Sequence, residues 1–175
     1  MKKIIIFIAI LLFAIGTTNA QSRKNKEKAD LETAKWNYDI ECVGEAPAGI
    51  YTLKVFSILR DESIARVQAS KNAVHAVIFQ GINGQGSKCT KKPALVRSSS
   101  IETKHEGFFK KFFESNGNED LNNFSKYVNV IVGVTDRTKV SKKEYRIGTL
   151  VTVNVSLLRK TLENENIIRS LDSGF

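Results

Sequence analysis

Tyr51–Ile82, YTLKVFSILRDESIARVQASKNAVHAVIFQGI, changes its hydrophobic period midway, and that change decides the fold. Over Ile50–Leu59 the side chains alternate. Tyr51, Leu53, Val55 and Ser57 take one side; Thr52, Lys54, Phe56 and Ile58 take the other. Period two marks a strand. After Asp61 the apolar residues recur at helical spacing, through Ile64, Val67, Val74, Val77 and Ile78. Ala65, Ala69, Ala73 and Ala76 form a row of small residues beside that stripe, which permits close approach to a sheet. Asp61 suits the cap of this helix and Glu62 its first turn, where exposed amides favour negative charge. Gly81 is placed to end it.

Working toward the N-terminus, Trp36–Val43 alternates too, with Trp36, Tyr38, Ile40 and Cys42 against Asn37, Asp39 and Glu41. Gly44–Gly49 is turn chemistry, so the two strands form an antiparallel hairpin. Toward the C-terminus, Ile82–Val96 reads as a basic loop holding Gly84, Gly86, Cys89 and Pro93. Ser99 with Glu102 fits a capping box for a second helix, which Gly117 stops. One side of that helix carries Ile101, His105, Phe108, Phe109, Phe112 and Phe113. Two readings of the phenylalanines stand. They are core, or they form an exposed patch beside Lys110 and Lys111 that docks a membrane or a partner. Helical spacing favours the core.

Asn118–Ser125 is polar, anchored by Leu121 and Phe124. Tyr127–Val134 is a strand with Val128, Val130, Val132 and Val134 on one face, and Asp136–Lys143 is a charged connection. Glu144–Leu157 is a long strand, with Tyr145, Ile147, Val151, Val153 and Val155 on one face and a bulge or bend at Gly148. A last helix covers Leu158–Leu171, weakened by Asn164 and Asn166. The order β-β-α-α-β-β-α predicts an α+β fold, an antiparallel sheet with helices on one face.

The first twenty residues have the form of an export signal. Lys2 and Lys3 precede an unbroken apolar run, Ile4–Ile15, and small residues at Thr18 and Ala20 suit cleavage. The run is shorter than the ~20 residues a spanning helix needs, and no transmembrane helix is expected in the mature chain. No cysteine near the cut offers a lipid anchor. Residues 21–35 form a polar leader, read as a solvated segment or a basic arm, and 36–175 form one domain. The expected address is the periplasm or the cell surface. Of the net charge of +9, removal of Lys2 and Lys3 leaves +7. That balance either aids solubility alone or serves contact with an anionic surface. Cys42 and Cys89 are the two cysteines. In an oxidising compartment they form one disulfide, or remain separate thiols on a strand and in a loop.

The strand and alanine-bearing helix of Tyr51–Ile82, followed late by EYRIGTLVTVNVSLL at Glu144–Leu158, resemble an envelope domain family. It occurs in the N-terminal part of flagellar assembly protein T and in the twenty-kilodalton outer-membrane lipoproteins. The resemblance spans about Trp36–Leu171. It implies a structural module of the periplasm or outer membrane without catalysis. This chain departs from the pattern by lacking the lipid-anchor cysteine and by inserting the Gly-rich loop and the Phe-rich helix.

No chemical motif survives inspection. Gly81-Ile82-Asn83-Gly84-Gln85-Gly86-Ser87-Lys88 approaches a phosphate-binding loop, but Ser precedes Lys and the segment follows a helix. His75 and His105 lie on separate helices, His75 on a helix surface and His105 at the core's edge, without the three or four ligands a zinc site takes. No cofactor is expected. Asp39 and Glu41, on the outer face of a strand, are the acids considered for a hydrolase. Two basic clusters stand out: Lys88, Lys91, Lys92 and Arg97; and Arg137, Lys139, Lys142, Lys143 and Arg146. They lack the interleaved aromatics of a nucleic-acid interface, since Tyr145 alone accompanies the second and points inward. The expectation is a non-enzymatic exported envelope module. Its partner is an envelope protein or an anionic surface, met through Gly81–Arg97 and Asp136–Lys143. The alternatives are a polyanion-binding secreted protein and a hydrolase with unrecognised acids.

Overall fold

A computed structural model of the chain describes residues 36–114 and 123–170. The export signal, the leader, Gly117, Leu121 and Leu171 lie outside the described residues. The fold is α+β, as the periodicities predict. Strands β1 (Tyr38–Ala46), β2 (Ile50–Leu59), β3 (Val128–Lys139) and β4 (Tyr145–Asn154) form one antiparallel sheet in the order β1-β2-β4-β3. Helices are α1 (Ala65–His75), α2 (Ser99–Lys104), α3 (Glu106–Phe113) and α4 (Val155–Asn164).

β2 is the centre of the sheet and follows its alternation. Tyr51, Leu53, Val55 and Ser57 are all buried, opposite Val151 and Val153 of β4. These residues, Ala69, Ala73 and Val74 of α1, and the phenylalanines of α3 share one core. The Phe-rich helix is therefore core: Phe109, Phe112 and Phe113 are buried.

α1 is a middle layer, which its sequence does not announce. Every residue from Gln68 to Ile78 is buried. The alanines lie toward the interior, and the polar residues are satisfied there. Gln68 donates to Asn72 Oδ1 at 3.0 Å, and Asn72 Nδ2 donates to Ser57 Oγ at 2.8 Å. Lys71 is fully buried, its Nζ 5.7 Å from the Phe124 ring centroid. His75 is not on a helix surface. It stacks on Trp36 at 3.6 Å between ring centroids and also contacts Tyr38, Phe79 and Phe113.

Other boundaries shift for local reasons. Asp61 caps a short 3₁₀ turn, Glu62–Ile64, by accepting from Ser63 N at 3.0 Å, and α1 follows. α1 then widens into a π turn at Ala76–Gln80 before Gly81. The second predicted helix is two, broken at His105, and its cap is Ser98 rather than Ser99. The strand predicted to end at Val134 runs to Lys139. It carries twelve residues against the ten of β4, with register shifts between Val130 and Val132 and between Val132 and Asp136. Those bulges break its alternation, so Val132 and Val134 are exposed instead of sharing a core face with Val128. Gly148 is no bend: β4 pairs with β2 in unbroken register there. A Cβ at Gly148 would lie 2.8 Å from Asp136 Oδ2 and from Thr135 Oγ1, so close approach explains the glycine. β4 gives way to α4 at Val155, where Asn154 Oδ1 accepts from Leu157 N at 2.9 Å. α4 stops at Asn164, and Asn166 at φ 56° turns the chain back so that Ile167 reaches the core.

The outer sheet face is roofed by side chains. Phe56, only 6% exposed, lies beneath the Arg146 guanidinium at 3.5 Å and Lys54 Nζ at 5.1 Å from its ring centroid. Arg146 pairs with Asp39 at 3.8 Å and Lys54 with Asp136 at 2.6 Å. The Asp136 carboxyl is held below the usual range, first by Lys54 and then by Thr135.

A basic cleft at the disulfide-bearing end

Cys42 and Cys89 are bonded, with Cα atoms 6.2 Å apart and both residues buried. The bond ties the Gly-rich loop to β1. That loop is a small ribbon rather than an irregular connection. Ile82 bridges Lys92, Gln85 bridges Cys89, and the glycine-bearing turn lies between.

Glu45 makes the second tie. Tyr51 Oη donates to its Oε1 at 2.6 Å, and Thr90 N donates to its Oε2 at 3.0 Å. The Tyr51 hydroxyl, the Thr90 amide and the Lys92 charge together hold the Glu45 carboxyl below the usual range. Burial, and then Glu45 itself, push the Tyr51 hydroxyl up. Lys92 Nζ lies 5.9 Å from the Tyr51 ring centroid.

The π turn makes the third. Widening the helix frees carbonyls, and the segment after the ribbon uses them: Val96 N donates to Ile78 O at 2.8 Å and Leu95 N to Val77 O at 3.3 Å. Gly81 permits the crossing. At φ 82° and ψ −176° it occupies a region almost closed to other residues, and a Cβ would lie 2.5 Å from Lys92 O.

These ties leave a cleft of about 1290 Å³ between the segment Lys92–Arg97, the α2–α3 break, the start of α4 and the returning chain at 166–170. Its lining has an apolar part, with Val77, Leu95, Ile101 and Ile168 among the lining residues. Lys92, Arg97, Lys104, Arg159 and Arg169 line it as well, and Glu163 is the single acid in the lining among the described residues. Glu163 accepts from Arg159 Nη1 at 3.2 Å. The N-terminus of α4, at Val155 and Ser156, adds its partial positive charge.

Of the residues singled out from sequence, Lys92 and Arg97 line this cleft. Lys88 and Lys91 are exposed on the ribbon outside it. The structure does not unite the two basic clusters. Arg137 lies on β3 at the level of Ser57, and Lys139, Lys142 and Lys143 lie at or beyond the level of Leu59, whereas the cleft begins at Tyr51. Eight residues of strand separate these levels by roughly 26 Å. Arg137 is also engaged, 3.1 Å from Glu62 and 3.8 Å from the Tyr145 ring centroid. Lys139, Lys142 and Lys143 are exposed. Asp39 and Glu41 sit on the open outer face, with Asp39 paired to Arg146. Sequence reading missed Lys104, Arg159 and Arg169, which come from three separate segments without a shared local motif. The turn signal at Asn164–Asn166 was the one hint that the chain folds back there.

Among the described residues no group of three or more His, Cys, Asp or Glu is placed to hold a metal ion, and no helix is long and apolar enough to cross a membrane. No family model matches the chain, and neither the curated proteins nor the solved structures include a significant match.

Proposed function

We propose that this chain is an exported, non-enzymatic module of the cell envelope that holds an anionic ligand in the basic cleft. The observation that carries the reading is the convergence of Lys92, Arg97, Lys104, Arg159 and Arg169 on one concavity whose described lining includes a single acid. Arginine forks suit carboxylate and phosphate oxygens. The buried disulfide fits an oxidising compartment. The resemblance to envelope domains and the signal-like N-terminus point to the same address.

The test separates the cleft from net charge. The triple variant Arg97→Gln/Lys104→Gln/Arg169→Gln and the control Lys139→Gln/Lys142→Gln/Lys143→Gln remove equal charge from opposite ends of the sheet. On a phosphate-bearing matrix developed with salt, the first variant should elute well before the parent and the control close to it. Equal losses in both would reject the cleft and favour diffuse polyanion binding, for which the exposed hairpin lysines are the natural contact.

A further inference from the structure

We propose that the ligand is an anionic amphiphile, a lipid whose acyl chain covers the apolar lining residues while its phosphate or carboxylate head meets the cationic ones. This rests on the cleft reading above and narrows it.

Three observations select this chemistry. First, apolar and cationic groups share the lining: Leu95, Ile101 and Ile168 are only partly buried and so offer apolar surface to the cleft beside Arg97, Lys104 and Arg169. A wholly polar anion would leave that surface wet, whereas an acyl chain covers it. Second, nucleic acids and many glycans are held by stacking on exposed rings. Among the described residues the one Phe, Tyr or Trp in the lining is Tyr51, which is 0% exposed and committed to Glu45, and the only other aromatic ring there is the half-buried His105. Third, an acidic peptide docking as an added strand needs free backbone groups. In the segment that would offer them, the amides of Lys92, Leu95 and Val96 are already bonded to Ile82, Val77 and Ile78.

The experiment is a calorimetric series on the purified chain with its disulfide intact. The probes are inorganic phosphate, glycerol phosphate, an acidic peptide and n-alkyl phosphates of increasing length, these last each below its micelle concentration. Affinity should rise about fourfold per added methylene until the apolar lining is covered. Arg97→Gln/Lys104→Gln should weaken every probe. Ile101→Ser/Ile168→Ser, checked for folding by circular dichroism, should flatten the length dependence. Affinity independent of chain length would overturn the lipid assignment while leaving the anion cleft standing. Tighter binding of an acidic peptide than of every alkyl phosphate would overturn it in favour of a protein segment. No binding of any probe, together with matrix retention indifferent to the cleft triple variant, would reject both readings.

Discussion

Tyr38 and His75 share a hydrogen bond of 2.6 Å between the phenol oxygen and Nδ1, inside the aromatic cluster that joins β1 to α1 and α3. Burial pushes the His75 imidazole down to about 3 and the Tyr38 hydroxyl up, so both are neutral at physiological pH. With both groups neutral the bond needs one proton between them: the phenol donates to Nδ1 in one imidazole tautomer, and Nδ1–H donates to the phenol oxygen in the other.

The first prediction follows from that shift. His75 binds a proton near the ordinary pH of about 6.5 when unfolded but resists it when folded. The unfolded state therefore holds more protons between about pH 6.5 and 3, and stability falls as pH falls through that window. The slope approaches about 1.4 kcal/mol per pH unit. Glu45 and Asp136, whose carboxyls are depressed in the fold, lose their contributions on acidification as well, below the His75 window's upper end. Urea melts at pH 6.5 and 4.5 separate these sources. His75→Gln removes only the imidazole, so it should lose about 2 kcal/mol less than the parent across the interval. Parallel losses would show that His75 does not titrate in this way.

Cys42–Cys89 closes a 47-residue separation. In the loop-entropy account such a bond stabilises the fold by roughly 4 kcal/mol, before any difference in native packing. Cys42→Ala/Cys89→Ala should show that order of loss in urea melts, together with faster amide exchange over the ribbon from Ile82 to Lys92. A loss confined to the ribbon's exchange, without a change in global stability, would mean that the bond acts locally.

Gly81→Ala should be disproportionately harmful. The substitution adds a Cβ to a φ of 82° and drives it against the carbonyl of Lys92. Backbone strain alone costs about 1–3 kcal/mol, and the displaced ribbon should also weaken ligand retention by the cleft. A thermal melt and the phosphate-matrix assay read the two effects separately. Retention unchanged in a destabilised variant would detach the ribbon from the site.

On the outer sheet face, Arg146 and Phe56 should be energetically coupled. A guanidinium over an aromatic ring at a partly exposed site contributes about 0.5–1 kcal/mol. A double-mutant cycle with Arg146→Gln and Phe56→Leu should return a coupling of that size, diminished little by salt because the ring is nearly covered. Zero coupling would reduce the contact to simple coverage.

What the sequence disclosed depended on whether one element alone set the pattern. β2 is buried on the face its alternation marks, because two partners hold it in unbroken register at β4 and nearly so at β1. α1 exposed the limit of the same reasoning. Gln68, Asn72 and His75 look like a solvent face until Ser57, Tyr38 and the phenylalanines of α3 are brought to them by tertiary packing. β3 failed in another way, since its surplus residues change which side each valine takes, and only its partner's length reveals a surplus. The cleft was half legible. Lys92 and Arg97 belong to a visibly basic loop, but Lys104, Arg159 and Arg169 join them only after the break at His105 and the reversal at Asn166.

The irregularity of β3 has a consequence for how these molecules meet one another. This strand forms one edge of the sheet, its stretch from Val128 to Thr135 carries no charge, and Ile131, Val132 and Val134 are exposed. A straight strand of that composition is an open template for the backbone of another chain and a seed for aggregation. The opposite edge is guarded by Asp39, Glu41 and Glu45; β3 has no such gatekeepers in that stretch and relies on shape. Its bulges put the outward amides and carbonyls out of step with any regular strand that approaches. Removing the surplus residues would improve the pairing within one molecule and, by the same stroke, invite pairing between molecules.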